Sequence, residues 1–303
     1  MAKDLPIDIS IIKMMSNATI KNLIDGIVEL ITNSDDSYKR IEEREKKVSG
    51  RIEIYVSREK GGICQELIVK DYAEGMTKVE LEEAIVFAGK TKTGKTIRGL
   101  FGRGLKETII ALGEGEIATI KKYKLTKTRL WFDHNIKKPQ YDDELMLNCE
   151  ETTQNNGTLI SIKITNEKIK IPTYKKFKEQ LNKHFALRDI NSSSNRDIIL
   201  NFEEVGNKLK QYSSIKYKNI KLKFKNPEGE KVIETEKNML DFGDKVKITV
   251  YEGKYTLESP RNNPFGLAGI LIKTGGAILD NQLFRFENDP EACYFYGEVI
   301  CEK

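Results

Sequence analysis

The sequence predicts an α+β protein of two domains. Three observations predict it. An amphipathic helix pattern runs over roughly 17–44, alternating strand patterns follow it to about 165, and the second half turns lysine-rich and mostly strand-like. The 303 residues are twice a common domain length of about 150, enough for two buried cores. With 32% charged and 39% hydrophobic residues and 7 prolines, long disorder and low-complexity chains are excluded.

The elements follow in order. Ile20, Leu23, Ile24, Ile27, Leu30 and Ile31 recur every three or four residues, the buried stripe of one helix. Ser49-Gly50 breaks it, and Arg51–Ser57 alternates as a strand. Cys64–Lys70 is the return strand of a hairpin. Thr77 with Glu80 three residues on is a capping box, which predicts a helix to about Val86. Residues 88–104 hold five glycines and read as a long loop. Leu105–Leu112 reads as a short buried helix and Gly115–Lys121 as a strand. Strands continue through 125–165, the last being Thr158–Ile164 after Asn155-Asn156-Gly157.

A first domain is placed at 1–166 and a second, smaller α/β domain at 167–303. In the second, Pro172 opens a helix over Thr173–His184, residues 198–258 read as strands with polar turns, and 267–273 and 293–301 are strand-like. The chain stops on that last segment without a polar tail, as a fragment truncated at its C-terminus would.

Net charge is +5, a mild bias, but residues 163–254 carry 21 basic against 13 acidic groups. No run approaches the ~20 apolar residues that cross a bilayer, so no membrane association is expected. The start, MAKDLPIDISIIKMM, is not a secretory signal, and a cytoplasmic setting is expected. Four cysteines, Cys64, Cys149, Cys293 and Cys301, have the spacing of neither a zinc site nor a disulfide framework.

Three segments carry chemistry. In ELITNSDDS (29–37), Glu29 and Asn33 share one helix face, placing a candidate general base beside an oxygen ligand for a hard cation. In KDYAEGM (70–76), a strand delivers Asp71 into a tight turn. Its carboxylate can accept from an exocyclic amine, Gly75 permits close approach, and Met76 offers a surface to a flat ring. The third is GKTKTGKTIRGLFGRGLKE (89–107). By letters Gly89–Thr96 is GxxxxGKT, but no hydrophobic strand precedes it and no long helix follows, so it is not a Walker loop. The better phosphate site is Gly102-Arg103-Gly104-Leu105-Lys106, running into a helix whose first N–H groups point outward. Lys90, Lys92, Lys95 and Arg98 make the loop before it cationic.

The ordered segments over roughly 17–165 resemble the GHKL ATPase superfamily: gyrase B subunits, MutL, MORC proteins, histidine kinases and the ninety-kilodalton heat-shock chaperones. The MORC and chaperone types are nearest in pattern. The resemblance implies a Bergerat α/β sandwich that binds ATP and Mg2+. It implies Glu29 as the water-activating catalytic residue, with Lys106 at the phosphates, and Asn33 as the metal ligand. Asp36, Asp71, Gly75, Met76, Lys90, Gly102, Arg103, Gly104, Leu105, Lys106 and Thr158 would complete the nucleotide site. Residues 87–101 stand in place of the family's ATP lid. Ala73 replaces the middle glycine of the DxGxG motif, and Ser37 a smaller residue. His134 and His184, the only histidines, both follow the first motif, which is not the order of a self-contained histidine kinase.

The resemblance further implies hydrolysis that drives a nucleotide-gated conformational change or homodimerisation, with a DNA-associated clamp as one setting. A chaperone-like ATPase with protein clients and a regulator with negligible turnover are the alternatives. The segment 1–16 is either an exchanged arm or an edge strand of its own domain. Lys273 is the candidate for a second-domain lysine at the terminal phosphate.

Overall fold

The long helical pattern divides in two. Asn22 accepts a hydrogen bond from the Asp25 amide at 3.0 Å, and the Asp25 carboxylate accepts from the Asn22 amide at 3.3 Å. This capping box starts a new helix. Helix α1 (Ile11–Thr19) therefore ends before α2 (Leu23–Glu42), where the stripe had predicted a single helix from 17. Residues 11–16 are helical, so they are not an edge strand. The computed structural model describes residues 8–45, 48–87, 104–208, 211–238, 245–274 and 277–302.

After α2 come β1 (Gly50–Arg58), β2 (Glu66–Asp71) and α3 (Lys78–Ile85), the last started by the expected Thr77–Glu80 capping box. Then follow α4 (Gly104–Leu112), β3 (Gly113–Lys121), β4 (Lys124–Asp133), β5 (Lys138–Tyr141), α5 (Asp143–Leu147), β6 (Glu150–Glu151) and β7 (Gly157–Ile164). The rest of the chain forms α6 (Tyr174–Lys183), α7 (Arg188–Ser192), β8 (Arg196–Lys208), β9 (Gln211–Lys221), β10 (Gly229–Asn238), β11 (Lys245–Gly253), β12 (Gly269–Thr274), β13 (Ala277–Gln282) and β14 (Phe295–Glu302).

Two compact units result. The first takes the described residues up to 177 and adds 195–221. It does not stop at 166, because β8 pairs in parallel with β1, and β9 pairs with β8. Its sheet has the order β5-β4-β3-β7-β2-β1-β8-β9, with β6 on β4. Helices α2 and α4 pack against the sheet and each other. Ile27, Leu30 and Ile31 of α2 are buried, as are Ile52, Ile54, Leu67, Val69, Ile117 and Ile162 on the strands. Helix α1 packs on α4, and Lys13 donates from its ammonium to the Ile110 carbonyl, where a cation suits the helix C-terminus.

The second unit comprises 178–194 and 222–302 and is β-rich. Its sheet runs β10-β11-β14-β12-β13, with β12 and β14 parallel. Leu257, Ala268, Leu283 and Tyr296 form its core. Asn281 holds the Gly266 and Ala268 carbonyls, each at 3.0 Å. Among the described residues, no helix is long and apolar enough to cross a membrane.

His184 is buried in this unit beside the rings of Phe185 and Phe265, and its Nδ1 accepts from the Ala186 amide at 3.3 Å. Burial, helped by the Arg188 charge, depresses its pKa to about 4. The unfolded chain then binds more protons than the native state between about pH 4 and 6.5. Stability from this site is present above pH 6.5 and lost as the pH falls, by up to about 3 kcal/mol. Urea melts of the full chain at pH 7 and 4.5 should show this loss in wild type, and His184→Gln should flatten it.

Candidate nucleotide site

Helix α2 carries both halves of the site. Asn33 lies one turn after Glu29 and donates from Nδ2 to Glu29 Oε1 at 3.2 Å. That donation leaves the carboxamide oxygen as the atom a hard cation would take. Burial raises the Glu29 pKa, and the nearby charges of Asp36 and Glu107 raise it further, against the bond from Asn33. Asp36 is itself buried on the same helix.

The start of α4 stands against Glu29. A Cβ added to Gly104 would lie 1.6 Å from Glu29 Oε1, so only glycine leaves room for the carboxylate in this position. Leu105 follows half-buried, and Lys106 is buried. Lys106 does not end in open space. Its ammonium donates to the carbonyls of Ala84 at 2.7 Å and Val86 at 2.8 Å, closing the end of α3. Burial lowers its pKa to about 8, opposed by the charge of Glu107. Lys90, Gly102 and Arg103 lie outside the described residues.

The next residue of α2 ties this face to Asp71. Ser34 Oγ donates to Asp71 Oδ2 at 2.9 Å, and Asp71 Oδ1 accepts from the amides of Ala73 at 3.0 Å and Thr158 at 3.2 Å. Burial raises the Asp71 pKa, although all three bonds favour the ionised form. A carboxylate has about four lone-pair sites, so one is left for a further donor. β2 and β7 pair Asp71 with Thr158 directly. Thr119, across from Thr158 on β3, accepts from the Met76 amide at 2.8 Å and lies 3.3 Å from the Thr158 hydroxyl.

The turn after Asp71 is held from two sides. The Tyr38 hydroxyl accepts from the Tyr72 amide at 3.0 Å while donating to the Arg51 carbonyl at 2.8 Å. Arg40 and Arg44 bind the carboxylate of Glu74. Ala73 is buried in the position of the expected glycine. The structure thus brings Glu29, Asn33 and Gly104 together, and separately Asp71, Gly75, Met76 and Thr158. Lys273 is engaged within the second unit by Asp189 at 2.8 Å and Glu298 at 2.7 Å.

Residues 22–158 match the family described as histidine kinase-, DNA gyrase B-, and HSP90-like ATPase. A GHKL-superfamily ATPase domain is present there. A comparison with curated proteins found no match. The described residues of the matched span lie within the first unit, and β8 and β9, which extend the same sheet, come after it.

Sequence reasoning missed Ser34, Tyr38, Thr119 and Arg196. Ser34 did carry a signal. It falls seven residues after Ile27 and three after Ile31, on the apolar stripe, and a polar group there must find a partner. Thr119 likewise alternates inward with Ile117 on β3. Arg196 carried none.

Gly75 has φ +65°, and a Cβ there would lie 1.9 Å from the Ile120 carbonyl oxygen. Backbone cannot yield as a side chain does, so Gly75→Ala should destabilise the first unit by about 2–5 kcal/mol. A denaturant melt measures this. An unchanged midpoint would show that the turn can be rebuilt.

Proposed function

We propose that the GHKL domain binds ATP with Mg2+ and hydrolyses it, and that hydrolysis gates a conformational change or homodimerisation. The observation that carries this reading is the approach of the α4 start to the Glu29 carboxylate. A helix N-terminus favours a phosphate, and a carboxylate facing it can serve a water at that phosphate.

The donor set fits the nucleotide and the metal. Asp71 has acceptor capacity left for an exocyclic amine, and Thr158 and Met76 border it. Asn33 offers one oxygen. A magnesium ion keeps several waters and phosphate oxygens, so one protein oxygen from Asn33 can serve it. When bound, the ion would neutralise phosphate charge. Glu29 would orient the attacking water and take its proton, and its raised pKa makes it a better acceptor. Asp36, Gly104, Leu105 and Lys106 are assigned to the phosphate side, with Lys90, Gly102 and Arg103. Lys106 can reach a phosphate only by leaving the carbonyls of Ala84 and Val86.

The excess of basic groups in 163–254 favours a DNA-associated clamp of MORC-like type over a chaperone-like ATPase with protein clients. Duplex DNA binding that weakens steeply with salt would support the clamp. Suppressed aggregation of a client protein without DNA binding would support the alternative. Ala73 in the adenine turn keeps open a regulator with negligible turnover.

Glu29→Ala should keep ATP affinity and lose about 10²–10⁴-fold in turnover. Gly104→Ala should also lose turnover, because its Cβ would take the place of the Glu29 carboxylate. Wild-type turnover in Glu29→Ala would remove the base assignment. Since Glu29 must be ionised, kcat should fall as the pH drops through a midpoint above the ordinary value of 4.5. Steady-state rates from pH 4.5 to 8 would show that limb, and Glu29→Gln should abolish it.

A further inference from the structure

Arg196 opens β8 and lies outside the residues that match the ATPase family. It is 5% exposed and every branch of its guanidinium is used. Nε donates to Asp35 Oδ1 at 2.7 Å, Nη1 to Glu42 Oε1 at 2.8 Å, and Nη2 to Glu42 Oε2 at 2.9 Å. Nη1 also reaches the carbonyls of Asn195 at 3.1 Å and Val48 at 3.3 Å. The guanidinium carbon stands 5.1 Å from the centre of the Tyr38 ring.

These partners stand one step from Asp71. Asp35 adjoins Ser34, whose hydroxyl donates to Asp71. Tyr38 receives the amide of Tyr72, the residue after Asp71. A Cβ on Gly50 would fall 2.8 Å from the Tyr38 ring, so the ring has no room to shift toward β1. Glu29 lies six residues before Asp35 on α2, and Gly104 stands at the start of α4.

We propose that Arg196 is a positioning residue for adenine recognition: through Asp35 and Tyr38 it holds the 34–38 stretch of α2 and the turn that aims the Asp71 carboxylate. The inference rests on the ATP-binding reading given above. Arg196 touches no substrate in it. It assigns a role in base selection to a strand beyond the family match, and separates that role from the phosphate side of the site.

A guanidinium that merely held the fold together would affect base and phosphate binding alike. The test therefore measures affinity for ATP, GTP and inorganic tripolyphosphate, each with Mg2+, on the full chain. Arg196→Met keeps the apolar stem and loses the charge. It should weaken ATP at least tenfold, narrow the preference for ATP over GTP, and leave tripolyphosphate within about twofold of wild type. Arg196→Lys, which can retain one ion pair, should fall between. Tyr38→Phe removes the hydroxyl and keeps the ring, and should show the same base-selective loss. In the double variant the losses should not add, because both act through one turn.

Equal loss for ATP and tripolyphosphate, or wild-type ATP affinity in folded Arg196→Met, overturns the inference. If Arg196→Met does not fold, Tyr38→Phe decides: a base-selective loss supports it and an unchanged preference overturns it. Wild-type protein that binds neither ATP nor tripolyphosphate overturns the nucleotide reading itself, and the inference with it. Wild type that binds ATP while the variants keep its selectivity overturns the inference alone.

Discussion

One buried guanidinium ties helix α2, whose apolar stripe packs on the sheet, to strand β8, and the residues around the Asp71 turn gather at that tie. An apolar stripe can fix which face of a helix is buried, but it resists small rotations and slides poorly. Arg196 limits that freedom by binding Asp35 and Glu42, about two turns apart on α2, from a single point on β8. Burying these charges is costly, and the cost is offset by the ion pairs and hydrogen bonds that all three guanidinium nitrogens make.

The consequence is local. Around this tie Ser34 reaches Asp71 and the Tyr38 hydroxyl takes the Tyr72 amide. Glu29, six residues before Asp35, instead faces the start of α4 at Gly104. In the proposed function, base recognition and phosphate chemistry fall to these different stretches of α2. Lys106 adds a third link, because its ammonium closes α3 while its backbone belongs to α4. In the proposed function a nucleotide would compete with α3 for this lysine.

The glycine-rich segment illustrates how far residue type can carry an argument. Gly104 belongs to the segment that the sequence offers as a phosphate cradle, and its backbone lies against the Glu29 carboxylate. Ala73, by contrast, occupies a position where glycine was expected, and its amide still donates to Asp71. A small residue suffices there because the turn's requirement for positive φ falls on Gly75 instead.

The sequence by itself determined the local elements. Capping boxes, two-residue alternation and the apolar stripe depend on neighbours within one or two turns, so Thr77–Glu80, β1 and the buried face of α2 were legible. The ordered motifs also marked Glu29, Asn33, Asp71 and Thr158 as candidates. Tertiary structure decided the rest. The Asn22 capping box split the first helix, and β8 and β9 joined the first sheet past 166. Lys106 and Lys273 went to partners that composition could not name. The physical reason is range. Arg196 and Asp35 are 161 positions apart, and nothing in either local pattern states that they meet. A buried charge announces only that it needs a partner; the packing of strands and helices supplies it.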